Sequence, residues 1–295
     1  MADRDEPRAV RSSALEMPWA ERQRGFLMIP TEVIEMLFDT LDSMTTLCES
    51  LTEDEWKTQT ECPGWSVQDN ISHIIGTERM LQGLPASTHR SPTFDWVKNP
   101  IGGFNENEVD ERRSKLGAEV LAEFKDLIAL RKETLESSGD DYFGREMITP
   151  TGPGTMADFL DIRVLDIWVH EQDIRRAIDR PGNNDSPAAA HTIGRLIRTL
   201  PIVVGKRAKT PDGESVVIHI TEPIRRLVPI GVKNGRAEFL SELPTNPLVM
   251  IDMDSDTFVR LANGRCAPAQ CADHISMAGD TELGKVIVNN FGMMI

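Results

Sequence analysis

The apolar residues of this chain change their period at about residue 182, and that change limits the possible folds more than any other feature. Before it, apolar side chains recur every three to four residues, as on one face of a helix. Ile29, Val33, Leu37, Leu41, Met44, Leu47 and Leu51 follow this spacing, and Pro30 suits a first helical turn. Ser66 opens a second helix, with Asp69 three residues on as its capping-box partner, and this helix runs to about Leu81. A third is expected from about Glu108 to Glu136, with Val109, Leu116, Val120, Phe124, Leu127 and Leu130 on its inner face. A fourth spans about Met156 to Ile178, between the breaker TPTGPGT and Arg180-Pro181-Gly182. The Pro- and Gly-rich stretch from Pro85 to Asn107 reads as a long loop, of the kind that often carries function.

After PGNNDSP one more helix is expected, at about Ala188 to Lys206, and the period then becomes two. ESVVIHIT, VPIGVKNGRAEFLS, PLVMIDMD and ADHISMAGD read as strands, with Asn234-Gly235 marking a tight hairpin. SDTFVRLANGR and DTELGKVIVNNFG read as short helices. The fold class is therefore α+β, a four-helix bundle followed by a smaller mixed α+β domain. The expected divisions are an arm at 1–25, the helical domain at 26–182 and the second domain at 187–295.

Charge narrows the function. Lys plus Arg is 32 against 47 Asp plus Glu, a net charge of −15, which repels a phosphate backbone and argues against nucleic acid as partner. No run of about twenty apolar residues occurs, so no membrane span is expected. The first residues mix both signs of charge without the apolar stretch of a secretory signal. Cys48, Cys62, Cys266 and Cys271 are scattered and form no CxxC pair, which points to reduced thiols and a cytoplasmic location. A monomer or small homo-oligomer is expected.

The stretch LDIWVHEQDIRR, residues 165–176, sets Asp166 and His170 four apart, on one helix face. Arg163 and Asp173 share that face. Divalent ions such as zinc take imidazole nitrogen and carboxylate oxygen, and an i, i+4 pair supplies two ligands at a suitable separation. His73, set among Ile71, Ile74 and Ile75 on the second helix, is the candidate third ligand. By spacing alone such a pair is usually a local ion pair worth a few tenths of a kcal/mol, and a lone His among isoleucines is more often a hydrogen-bonded core residue. His89, His191, His219 and His274 read as structural or solvated. Asp69 is explained by capping or by a place beside His73, Glu171 points off the Asp166–His170 face, and Cys62 and Trp65 read as packing residues. Arg225, Arg226 and Arg236 could hold a substrate carboxylate across a cleft between the domains.

Two segments carry a family resemblance. CPGWSVQDNISHIIGTE resembles the C-x-G-W-[ST]-V-x-D-x-x-x-H segment of the mycothiol-dependent maleylpyruvate isomerase family, which belongs to the DinB-like metal-binding four-helix bundles. RVLDIWVHEQDIRRAIDRPG is similar to the second signature of that family. DTFVRLANGR and ISMAGDTELGKVIV look like its C-terminal domain, related to sterol-carrier proteins. The resemblance implies a divalent metal, usually zinc, held here by His73, Asp166 and His170. The family carboxylate is commonly Glu, and Asp166 is one methylene shorter. Three protein ligands leave a coordination position open, the pattern of a catalytic ion. The implied cofactor is a low-molecular-weight thiol, mycothiol or one like it, activated for isomerisation of, or S-transfer to, a small electrophilic substrate. Asp173, Arg225 and Arg236 are further candidates to touch that substrate. The other reading is a non-catalytic, metal-containing protein of ligand binding or stress response.

Overall fold

The computed structural model describes residues 29–292, so the arm expected at 1–25 lies outside the described residues. The helical half contains α1 (Thr31–Glu49), the short α2 (Glu53–Trp56), α3 (Val67–Leu81), α4 (Pro100–Asp110), α5 (Gly117–Ser137), the short α6 (Asp140–Phe143) and α7 (Met156–Ala177). A two-stranded hairpin, β1 (Glu146–Thr149) and β2 (Gly152–Thr155), leads into α7. The four long helices α1, α3, α5 and α7 form a ring in which each packs on two others. Leu37 and Leu41 of α1, Ile71, Ile74 and Ile75 of α3, Phe124 of α5 and Leu160, Val164 and Ile167 of α7 are fully buried inside it. Each such side chain contributes roughly 1.5–3 kcal/mol by leaving water.

Local chemistry explains where these helices start. Ser66 accepts from the Asp69 amide while the Asp69 carboxylate accepts from the Ser66 amide, so the expected capping box opens α3. Thr155 and Asp158 repeat the device at α7. The expected helix from Glu108 to Glu136 is instead two helices joined by a turn at 111–116. Asn99 caps Pro100 and starts α4 earlier, and Leu116 stands exposed before α5 rather than in the core. The loop expected from Pro85 to Asn107 is shortened accordingly. The breaker TPTGPGT forms most of the hairpin, with Gly152 at positive φ.

The second half begins with α8 (Pro187–Ile197), which packs on α7 and α1. The helix expected through Lys206 stops there; a turn of π-helix, Ile202–Arg207, follows Pro201, whose ring supplies no amide for continuing an α-helix. The sheet holds β3 (Ser215–Ile220), β4 (Arg226–Lys233), β5 (Arg236–Phe239), β6 (Val249–Met253) and β7 (Ile275–Gly279), in the order β5-β4-β3-β6-β7. Only the central β3–β6 pair is parallel. Asn234 and Gly235 both have positive φ, as a tight β4–β5 hairpin requires. Helices α9 (Ser255–Ala262) and α10 (Thr281–Val288) complete this half, with a 3-10 turn at Pro268–His274. Two cysteines depart from the reduced-thiol expectation. Cys266 and Cys271 are joined as a disulfide, since the chain folds back into that turn, whereas Cys48 and Cys62 are free and buried. Among the described residues no helix is long and apolar enough to cross a membrane.

Candidate metal centre

Packing of α3 on α7 brings together His73, Asp166 and His170, whose ligand atoms lie within 4.8 Å of one another. His73 Nε2 is 3.0 Å from Asp166 Oδ2, and His170 Nε2 is 3.6 Å from Asp166 Oδ1. Both histidine side chains are 7% exposed and the Asp166 side chain 29%, so the cluster opens to solvent on the aspartate side.

The tautomer of His170 follows from its neighbours. Asn70 donates its Nδ2 to the Ser66 carbonyl at 2.8 Å and to Thr60 Oγ1 at 3.1 Å, so its Oδ1 is the acceptor for His170 Nδ1–H at 2.6 Å. In the neutral ring the Nε2 lone pair is then directed at the Asp166 carboxylate. Two acceptors face each other across 3.6 Å, an arrangement relieved by a cation between them. Burial pushes the pKa of His73 below the ordinary histidine range, which keeps that imidazole neutral and able to bind a metal. Burial raises the pKa of Asp166, but Arg163, and then His73, outweigh it and hold the carboxylate well below its usual range. His73 Nδ1 is buried without a hydrogen-bond partner. Two imidazoles and one carboxylate, largely buried and converging on one point, fit a divalent ion of the zinc type.

A second group, Cys62, His170 and Asp173, also comes within ligand distance. Its carboxylate is already engaged. Asp173 is fully buried and accepts from Arg176 at 2.8 Å and from Arg265 at 2.9–3.1 Å. Burial pushes the Cys62 thiol up to about 12, which disfavours the thiolate.

The wall of the centre is aromatic. The Trp65 ring lies 5.2 Å from that of His73 and 5.6 Å from that of His170. Trp65 Nε1–H donates to Glu106 Oε2 at 3.0 Å, and Trp96 Nε1–H donates to the same oxygen at 3.2 Å. Gly64 precedes Trp65 with φ +74°, and a Cβ there would stand 2.4 Å from the Trp96 ring. Glycine is therefore required twice over.

The second half reaches this region through arginines. Arg265 pairs with Asp173, and Arg260 pairs with Glu61, which also pairs with Arg176 of α7. Arg176 continues to Asp256 of α9. The arginines proposed from sequence lie elsewhere: Arg225 is exposed and paired with Glu222, and Arg236 is exposed on the edge strand β5. Arg265 carried no sequence signal, since it lies ninety residues away from the aspartate it meets and follows an ordinary Asn-Gly turn. Asp173 sits one turn beyond His170, with its Oδ2 3.4 Å from His170 Nδ1. Glu171 is buried on the opposite side, accepting from Ser43, Arg175 and Asn183. His89, His191, His219 and His274 each pair with an aspartate away from the centre.

Residues 37–175 match the model of the mycothiol maleylpyruvate isomerase N-terminal domain, a segment that contains all three candidate ligands. An uncharacterized protein of Mycobacterium tuberculosis is 25% identical over 188 residues, covering 62% of this chain and 70% of that protein. The crystal structure of the mycothiol-dependent maleylpyruvate isomerase shares the fold, with a TM-score of 0.53 at 16% identity, over 84% of this chain and 92% of that one. A mutant of that enzyme matches equally, with a TM-score of 0.52 at 15% identity. Over residues 37–175, its helical half is thus similar to the mycothiol maleylpyruvate isomerase N-terminal domain.

Proposed function

We propose that this protein is a metal- and thiol-dependent enzyme that isomerises a small electrophilic substrate or transfers a thiol to it. The observation that carries the reading is the convergence of His170 Nε2, Asp166 Oδ1 and His73 within ligand distance of one another, in the opening of the helical domain. His73, Asp166 and His170 would hold the ion, zinc in this reading. Bound there, the ion supplies the Lewis acidity that keeps an incoming low-molecular-weight thiol, mycothiol or its like, as thiolate at neutral pH.

The protein's own residues do the rest. Asn70 fixes the His170 tautomer so that Nε2 is offered to the ion. Trp65 shields both imidazoles on one side, and the partly exposed Asp166 leaves the approach for thiol and substrate. Arg265 and Arg176 neutralise Asp173 beside His170, and Arg265 brings the second half of the chain to the rim of the centre. The domains are taken as 26–182 and 187–295, with the substrate entering where they meet. The reading places the enzyme in the cytoplasm, as a monomer or small homo-oligomer acting on small molecules.

The test is metal content, by elemental analysis of wild type and His170→Ala purified without chelator, followed by mycothiol-dependent turnover of maleylpyruvate. Near-stoichiometric metal in wild type, its loss in the variant and thiol-dependent turnover support the reading. Wild type that stays metal-free after reconstitution with zinc overturns it. Bound metal without activity toward thiol and electrophile favours a binding protein instead.

A further inference from the structure

Glu78 follows His73 by five residues on α3 and is fully buried. Its Oε2 accepts from Arg131 Nε of α5 at 2.8 Å, and its Oε1 accepts from Arg163 Nε of α7, also at 2.8 Å. Arg163 turns Nη1 onto Asp166 Oδ2. One chain of ionic hydrogen bonds thus runs from α5 through α3 to α7 and ends on the carboxylate of the candidate ligand set. Its far end is tied by Gln82 and Tyr142, which both accept from Arg131 Nη1.

Packing alone does not account for this arrangement. Arg131 and Arg163 head the largest fully buried side chains of the described residues, and each leaves its Nη2 buried without a partner. Buried ion pairs with incomplete hydrogen bonding are commonly replaceable by apolar residues at no loss of stability. What apolar residues would not supply is orientation. The carboxylate torsion of aspartate is broad, so its two oxygens exchange places at little cost unless something distinguishes them. Here Oδ2 is engaged by Arg163 and faces His73, while Oδ1 is left facing His170.

We propose that Glu78 is a positioning residue, which fixes Arg163 so that Arg163 holds Oδ2 of Asp166 and leaves Oδ1 free as the metal ligand. The proposal rests on the metal reading of His73, Asp166 and His170. It also accounts for the shorter carboxylate of this chain, because aspartate brings its oxygens close to its own helix, where an arginine one turn earlier reaches them.

Zinc affinity measured by competition with a chromogenic chelator tests it, together with the visible absorption bands of the cobalt(II)-loaded protein. Wild type, Glu78→Gln and Arg163→Lys are compared. Loss of partners that orient a metal ligand typically weakens binding about 10–100-fold, and that loss is expected in Glu78→Gln with a changed cobalt spectrum. Arg163→Lys conserves charge yet offers one ammonium to two carboxylates, so a loss there separates orientation from a simple change of field. It also carries the test if Glu78→Gln does not fold. Folded variants that bind zinc as tightly as wild type, with an unchanged spectrum, overturn the proposal and leave the metal centre standing. Wild type that takes up neither zinc nor cobalt overturns the metal reading itself.

Discussion

The two halves of the molecule bury different chemistry. Among the described residues, the helical half buries Asp69, His73, Glu78, Glu106, Glu108, Arg112, Arg131, Arg163, His170, Glu171 and Asp173. The second half buries Thr192, Thr210, Ser255, Thr257 and Asn263, none of them charged, around aliphatic residues such as Val216, Ile218, Ile220, Ile230 and Ile251. Removing a charge from water is costly unless it is paired, so a domain that buries many of them is organised by those pairs as well as by its apolar core. The sheet half keeps most of its charges outside and sends Arg260, Arg265 and Asp256 toward the centre. It therefore resembles a conventional hydrophobic fold joined to an electrostatically constrained one.

Three substitutions sharpen or break that contrast. The largest effect is expected from Arg131→Met, which leaves Glu78 with Arg163 alone in a dry interior. Breaking a buried pair in this way costs about 4 kcal/mol, read from urea unfolding. A cost below about 1 kcal/mol would show that the buried charges are not held by their pairing. Next is Ile218→Ala in the middle of the sheet, where loss of a fully buried side chain costs about 3 kcal/mol. Metal content of this variant should match wild type, and a loss of metal would mean that the two halves are not separable in function.

The smallest effect, Asp173→Asn, tests the contact between the halves. Burial raises the pKa of Asp173, but Arg265 and then His170 and Arg176 outweigh it and hold the carboxylate far below the ordinary range. Its ionised form therefore stabilises the fold fully above the unfolded value of about 4, and that contribution is lost as pH falls through the lower folded value. The variant should lose about 2 kcal/mol at neutral pH and show a flatter decline of stability in acid. Parallel pH profiles for variant and wild type would remove Asp173 from the account.

Much of the helical half is legible in the chain itself. The capping box of Ser66 and Asp69, the period of α1 and α3, and the i, i+4 pair of Asp166 and His170 are local, because each depends on residues within one or two turns. The hairpin at Asn234-Gly235 is local for the same reason. The split between α4 and α5 escaped because the pattern of apolar residues continues through the turn at 111–116, and only Asn99 and Pro100 mark the earlier start.

The sequence by itself determined the α+β order of elements and offered His73, Asp166 and His170 as one candidate set, since helical spacing and residue type suffice for that. Tertiary structure alone decided which side chains meet around them. Asn70 selects the His170 tautomer, Trp65 covers both imidazoles, and Glu78 joins Arg131 to Arg163 across three helices. Arg265 reaches Asp173 at the rim of the centre, while Arg225 and Arg236, the candidates for a substrate carboxylate, are exposed elsewhere. All of these contacts except that of Trp65 with His73 span tens of residues, and charge pairing at such range is set by how the helices pack, which no local pattern records.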